Sequence, residues 1–178
     1  MDQPEVPLEQ TQEDLAHHAH ISGEKWVLGV ALTAALLAVL AAITALIAEH
    51  HAEEAMLREI QSSDRWNYYQ AEGIKANVLK TKAEILAALG KPADERDKAK
   101  LEKYQKMQAE LEKEATRLHD EAIAHLGHHS TLARSVTMFQ VAIAVGAIAV
   151  LTKRRRFWLG SIAFGVVGVI FLLQGLLP

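Results

Sequence analysis

The apolar residues of this chain are concentrated in three uncharged blocks. The blocks run from Trp26 to Ala48, from Val136 to Leu151 and from Phe157 to Leu177. A helix that crosses a bilayer needs roughly 17 to 25 apolar residues. The second block reaches that length by including Leu132 to Ser135, which leaves Arg134 at the interface, where a long basic side chain can extend to water. The pattern predicts three transmembrane helices.

The polar stretch between the first two blocks predicts two long helices joined by one turn. Residues 49–89 contain no proline and no strong stop signal, so the first helix is expected to continue through them. Gly90, Lys91 and Pro92 then form a turn, and ADERDKAKLEKYQKM restarts a helix. At 1.5 Å per residue each arm would extend on the order of 60 Å, which predicts an antiparallel hairpin stalk.

The predicted fold class is therefore all-α. It is an integral membrane protein with three transmembrane helices and a long antiparallel helical hairpin, a coiled-coil stalk, between spans 1 and 2. The first block is expected to stay as an anchor, because its leader is acidic and its apolar core is longer than that of a signal peptide. The predicted boundaries are a disordered tail over 1–24, spans over 25–48, 132–152 and 157–178, a stalk over 49–131 with its turn near 90–93, and a basic turn over 153–156.

Each arm of the stalk carries a seam of alternating three and four spacing. In the first arm the seam runs through Glu49, Glu53, Met56, Ile60, Ser63, Asn67, Gln70, Ile74, Asn77 and Thr81, and in the second through Tyr104, Gln108, Leu111, Ala115, Leu118, Ala122, His125 and His129. Because the seam is so polar, it would bury too little apolar area to stabilise an isolated hairpin. Other copies of the stalk are therefore expected to add contacts. A shifted register with Leu57, Trp66, Tyr69 and Val78 inward is the alternative, and periodicity does not separate the two.

Small and polar residues inside the blocks predict how the spans associate. Small residues four apart let helices approach closely. A lone intramembrane amide, here Gln140, is expected to bond a neighbouring helix rather than line a pore. The small residues at this spacing are Ala34, Ala38 and Ala42, then Ala142 with Gly146, then Ser161 with Gly165.

Histidine and glutamate residues are concentrated where the stalk meets the membrane. Counting both arms back from the turn places Glu49 and Glu53 opposite His125 and His129. Imidazole and carboxylate groups at this spacing could ligate a divalent metal ion such as zinc, the only cofactor the sequence suggests. A pH-responsive clasp is a second interpretation. The third is a polar belt that faces lipid headgroups and has no further role.

A basic turn sets the expected orientation. Lys153, Arg154, Arg155 and Arg156 fill the short connection between the second and third blocks. By the positive-inside rule such a loop stays in the cytoplasm. Three spans then place the N-terminus on the cytoplasmic side and the stalk on the opposite side.

Composition excludes several classes of function. With no cysteine in 178 residues, disulfides, thiolate metal sites and cysteine nucleophiles are ruled out. The net charge is −3 and acidic residues match the basic residues of the stalk, so the sequence indicates no basic surface for binding nucleic acid. No phosphate-binding glycine loop, nucleophile elbow or paired catalytic carboxylates occur, so no enzyme and no small-molecule substrate are predicted.

The segment QSSDRWNYYQAEGIK is the most distinctive polar stretch. Its aromatic residues could anchor a partner, or pack against Ala115, Tyr104 or a neighbouring stalk. SSDRWNYYQAEGIK after a first span, together with LTKRRRFW between two final spans, resembles a bacterial membrane family, domain of unknown function 4337. The resemblance covers residues 25–178 and implies a multi-pass protein of the bacterial inner membrane. It marks Trp66, Tyr68, Tyr69 and Gln70 as signature positions of unknown role.

These features favour a non-enzymatic, homo-oligomeric membrane scaffold whose partners are membrane lipids and further copies of itself. One alternative is an ion channel or ion-linked transporter in which a symmetric path is lined by Gln140 and by the belt of Glu49, Glu53, His125 and His129. Another is a pH- or metal-responsive sensor that uses Glu49, Glu53, His125 and His129.

Overall fold

A computed structural model describes residues 25–92 and 94–177. Three helices account for nearly all of them: α1 (Lys25–Ala88), α2 (Glu95–Thr152) and α3 (Arg155–Leu176). The described residues contain no strand, which confirms the all-α class. The tail predicted to be disordered, residues 1–24, lies outside the described residues. Contacts divide the described residues into a three-helix unit, residues 25–52 with 127–177, and a hairpin unit, residues 53–92 with 94–126.

The turn in the hairpin unit forms where the sequence predicts it. Gly90 has φ +68°, a left-handed conformation that glycine adopts without steric cost. The amide of Lys91 donates to the carbonyl of Leu86 (2.9 Å) and that of Gly90 to Ala87 (3.0 Å), which is a Schellman ending of α1. Asp94 then accepts a hydrogen bond from the amide of Arg96 (2.9 Å) and caps the start of α2.

The second arm of the hairpin unit buries the predicted seam. Ala115, Leu118 and Ala122 are buried, and Tyr104, Gln108, Leu111 and His125 are half-buried. The seam predicted for the first arm is wrong by one residue. Its positions from Glu53 to Thr81 are all exposed, and several of those immediately before them turn inward. The positions that do so are Ala55, Ser62, Tyr69, Gly73 and Ala76.

Small side chains explain this register. The Ser62 hydroxyl donates to the carbonyl of Ala115 across the hairpin at 2.9 Å, and both residues are buried. Serine and alanine let the two helices approach closely, whereas larger side chains at the same positions would separate them. Leu57 and Val78, inward in the alternative register, are 51% and 62% exposed. The face of α1 that carries the larger apolar side chains is therefore not the one that is buried.

Replacing Ala115 with leucine is expected to lower the free energy of unfolding of the hairpin unit by about 1–3 kcal/mol. Ala115 is fully buried opposite Ser62, so the added atoms must push the helices apart. Ala124→Leu is the matched control, because Ala124 is exposed on the same helix. Denaturant unfolding followed by helical circular dichroism measures both. Equal stability of the two variants would contradict a close helix contact at Ala115.

In the three-helix unit the core lies where α1 meets the last part of α2. Ala34, Leu37 and Ala41 of α1 pack in one cluster with Phe139, Ala142 and Ile143 of α2. Phe139 is the largest fully buried side chain among the described residues. Alanine at three positions leaves room for the phenyl ring, so the two helices interlock around it.

Glycine and serine join α2 to α3. The hydroxyl of Ser135 donates to the carbonyl of Gly168 (2.7 Å), and that of Ser161 donates to the carbonyl of Ala142 (2.6 Å). A Cβ atom at Gly168 would lie 2.6 Å from the ring of Phe139, which no real contact tolerates. The predicted small-residue contacts are confirmed for Ala34, Ala142, Gly146, Ser161 and Gly165, which are buried, and wrong for Ala42, which is exposed.

The outer surface of the three-helix unit is apolar. Leu28, Leu32, Leu36, Val39, Ile43 and Leu46 follow one another by three or four residues along α1, and each is more than half exposed. All three helices contain windows long and apolar enough to cross a membrane. Apolar side chains on the outside of a helix bundle are typical of a protein whose solvent is lipid.

Candidate functional site

Four histidines lie at one end of the three-helix unit, and two of them, His128 and His129, bond to backbone carbonyls. His129 Nδ1 is 2.8 Å from the carbonyl oxygen of Ala48 in α1, and His128 Nδ1 is 2.9 Å from that of Gly175 in α3. A carbonyl only accepts, so both Nδ1 atoms carry the proton. The rings of His51 and His128 stack at 5.1 Å, and His50 is 6.1 Å from His51. These histidines therefore join the three helices to one another.

The four predicted metal ligands are divided between the two units. Glu49 and His129 belong to the three-helix unit, whereas Glu53 and His125 belong to the hairpin unit. Over residues 25–92 and 94–177, no three histidine or carboxylate side chains are grouped so that they could hold a metal ion. In the hairpin unit, the imidazole of His119 instead pairs with the carboxylate of Glu59 at 2.9 Å.

The aromatic segment of the hairpin unit is only partly packed. The rings of Trp66 and Tyr69 meet edge to face at 5.3 Å, on the side of α1 that turns toward α2. Tyr69 is half-buried and Trp66 is 37% exposed, whereas Tyr68 and Gln70 are exposed. The first pair stabilises the hairpin, and the second pair remains accessible.

Next to this segment a polar network crosses the hairpin. The amide of Gln108 donates to the carbonyl of Tyr69 at 3.2 Å and occupies the space that a side chain at Gly73 would need. Glu72 is buried and accepts a hydrogen bond from Lys75 at 2.7 Å. That hydrogen bond raises the pKa of the Lys75 ammonium group. The hydrogen bond from Gln108 to Tyr69 links the two arms at this level of the hairpin.

A polar groove of about 320 Å³ lies beside it in the hairpin unit. Arginine and glutamate side chains line the groove, and its arginines are already paired. Arg65 lies 3.3 Å from Glu114, and both Arg58 and Arg117 pair with Glu121. Because its charges are matched internally, the groove offers no strong site for an anion.

The remaining predicted positions lie in the three-helix unit. Gln140 is half-buried and forms no hydrogen bond with any residue that the structure describes, so the expected bond to a neighbouring helix is not seen. The connection between α2 and α3 is confined to Lys153 and Arg154, and Arg155 and Arg156 begin α3. All four basic side chains are exposed.

Sequence reasoning missed several residues that position these elements. Ser135, Gly168 and Gly175 bring α2 and α3 together, but the predicted pattern of small residues four apart does not include them. Gly168 and Gly175 are seven apart on α3, a spacing that also places residues on one helix face and could have revealed them. Ser62 was missed because the first arm was assigned the neighbouring register.

The fold defines an all-helical protein with three helices that are apolar enough to cross a membrane. The chain belongs to the family described as a domain of unknown function (DUF4337), whose model matches residues 26–178. Searches of curated proteins and of solved structures gave no match.

Proposed function

We propose that the protein is a non-enzymatic, homo-oligomeric scaffold of the bacterial inner membrane. Its three apolar helices would span the bilayer, and its hairpin unit would associate with the hairpin units of other copies as a coiled coil. The basic turn and the N-terminus would be cytoplasmic and the hairpin unit on the opposite side, in agreement with the positive-inside rule.

One observation supports self-association above all: α1 carries a second apolar stripe that nothing in the hairpin unit covers. Leu57, Ile60, Ile74, Val78 and Ile85 form this outer stripe, and each is 51% to 65% exposed. At about 100° per residue the outer stripe lies opposite Ser62, which bonds α2, and opposite buried Ala76. An exposed apolar row of this length on a polar hairpin indicates an interaction surface.

The spacing of the outer stripe favours another copy of α1 as the partner. With Asp64, Asn67, Ala71 and Thr81 included, its positions alternate by three and four over residues 57–85. That repeat is the one by which two α-helices pack along a coiled-coil seam. Copies in one membrane share one orientation, so equal positions would meet at equal height in a parallel assembly.

The polar positions of the outer stripe would specify alignment. Asp64 and Asn67 separate an apolar segment at Leu57 and Ile60 from a longer one at Ile74 to Ile85. Polar residues in a coiled-coil seam fix register and copy number while they lower stability. The assembly would therefore be held mainly by the longer segment.

Single-cysteine variants test this proposal directly, because the chain has no cysteine of its own. In protein reconstituted into liposomes, Ile74→Cys is expected to form a disulfide between copies under mild oxidation, since equal positions of the outer stripe face each other. Lys80→Cys is the matched control, because Lys80 is exposed on another side of α1. Non-reducing gels report the covalent dimer. Equal and slow cross-linking of both variants would contradict the proposed interface.

A further inference from the structure

The end of the three-helix unit that holds the basic turn is built around two tryptophans. Trp26 of α1 is buried, and its ring lies 5.7 Å from the guanidinium group of Arg155. Trp158 of α3 packs over Gly29, where an added Cβ would come within 3.2 Å of the indole. Tryptophan is enriched at the level of lipid headgroups, so in the proposed membrane insertion the four basic residues would lie at the height of the lipid phosphates.

The polar edge of Trp158 is held by α1. Its indole N–H donates to the hydroxyl of Thr33 at 3.4 Å, and that hydroxyl donates to the carbonyl of Gly29 at 2.7 Å. Val30 and Val150 complete the packing around the two indoles. The first turn of α3, and with it Arg155 and Arg156, is therefore fixed against α1.

The charge of the basic turn is not neutralised by the described part of the three-helix unit. Across residues 25–52 and 127–177 the only acidic residue is Glu49. Glu49 follows Ala48, which bonds His129 at the other end of the unit. None of the four basic residues forms an ion pair with a residue that the structure describes. Four unpaired cations this close together would attract an external anion.

We propose that Lys153, Arg154, Arg155 and Arg156 bind the phosphate group of an anionic phospholipid. The arginines would donate hydrogen bonds to phosphate oxygens, as guanidinium groups do to phosphates in general. The indoles of Trp26 and Trp158 would border the glycerol backbone of the lipid. This inference rests on the membrane insertion in the proposed function and adds to it a specific class of ligand.

Two other anionic groups could pair with the same four basic residues, and the experiment must distinguish them from the lipid. One is free phosphate, which would need no acyl chains. The other is the N-terminal segment of this chain, because residues 1–24 carry six acidic residues and no lysine or arginine and lead into α1 next to Trp26. The lipid is favoured because the cations and both tryptophans lie together at the membrane interface.

Native mass spectrometry of the delipidated full-length protein in detergent is the test, with phosphatidylglycerol or phosphatidylcholine of identical acyl chains added. Wild type is expected to retain phosphatidylglycerol selectively. The triple variant of Arg154→Gln, Arg155→Gln and Arg156→Gln is expected to bind it about 100-fold more weakly, at roughly 1 kcal/mol for each cation near the surface. The triple variant of Lys100→Gln, Lys103→Gln and Lys106→Gln removes the same charge from exposed positions of the hairpin unit and should bind as wild type does.

The same spectra report the oligomeric mass, so loss of lipid binding is distinguished from loss of assembly. If the triple arginine variant is misfolded, Lys153→Gln alone is expected to weaken binding about 5-fold. Retention of phosphatidylglycerol in an excess of inorganic phosphate supports the lipid, and complete displacement by phosphate overturns it. The proposal is also wrong if wild type shows no selectivity, or if selectivity appears only after residues 1–24 are removed.

Discussion

Replacing Phe139 with alanine is expected to lower the free energy of unfolding of the three-helix unit by about 3–5 kcal/mol, as loss of a fully buried phenyl group usually does. Phe139 has no exposed surface and lies between Ala34, Leu37 and Ala41 of α1 on one side and Gly168 of α3 on the other. Its ring therefore contacts both neighbouring helices. In a lipid-like solvent the main loss is close packing, since the cavity has no atoms to fill it.

The measurement is equilibrium unfolding in mixed detergent micelles, followed by circular dichroism. Phe164→Ala is the matched control, because Phe164 lies on α3 and is 40% exposed. It is expected to change stability far less. Equal losses for the two phenylalanine variants would show that Phe139 does not lie at the centre of the unit.

A double variant makes this test independent of the size of the residue removed. Gly168→Ala alone is expected to cost about 1–3 kcal/mol, because its Cβ would overlap the buried ring of Phe139. In the background of Phe139→Ala the same change should cost much less, since the ring is gone. Gly160→Ala, whose Cβ would meet Val145 at an ordinary 3.7 Å, is the control. Additive effects of the changes at 139 and 168 would contradict the contact.

Glutamate at two positions of the outer stripe is expected to dissociate the assembly. Ile74→Glu together with Val78→Glu would place carboxylates of neighbouring copies at the same height in the proposed parallel interface, where they repel each other and lose water. Association is expected to weaken by about 100-fold or more, since an unpaired buried charge costs several kcal/mol. Both side chains are more than 60% exposed, so the fold of a single chain should not change.

Sedimentation or native mass spectrometry in detergent measures this effect, and circular dichroism checks helicity. The matched control is Gln61→Glu together with Asn77→Glu, which adds the same charge at exposed positions of α1 beside the outer stripe. The control is expected to keep the oligomeric mass of wild type. If the outer-stripe variant kept that mass too, the spans rather than the hairpin unit would hold the copies together.

The two arms of the hairpin differ in how well the periodicity of their sequences predicts the buried face. In the second arm, Leu111, Ala115, Leu118 and Ala122 are both apolar and correctly spaced, so the pattern predicted the buried face. In the first arm, apolar residues such as Ile60 and Ile74 mark one face and small residues such as Ser62 mark the opposite one. When two faces of a helix can both pack, its own sequence does not determine which face is buried, because that depends on the helix it packs against.

The role of the histidines at the candidate site also depends on the helices that they meet. Residue types and spacing left three interpretations of the clustered imidazole and carboxylate groups open: a metal site, a proton sensor and a polar belt that faces lipid headgroups. The structure shows His128 and His129 bonded to backbone carbonyls of α3 and α1. Every residue has a backbone carbonyl, so the type of the accepting residue does not reveal the hydrogen bond. This role of the histidines therefore could not be predicted from the sequence.

The sequence by itself determined the helical class, the three apolar helices, the turn at Gly90 and the basic turn at Lys153. These depend on local properties: the length of apolar runs, the conformational freedom of glycine and the distribution of charge. Only the tertiary structure decided that Ser62 rather than Ser63 faces α2, that Phe139 fills the space beside Gly168, and that the outer stripe of α1 is left exposed. Those outcomes depend on the fit of one helix surface to another, a property of pairs of segments that no single segment contains.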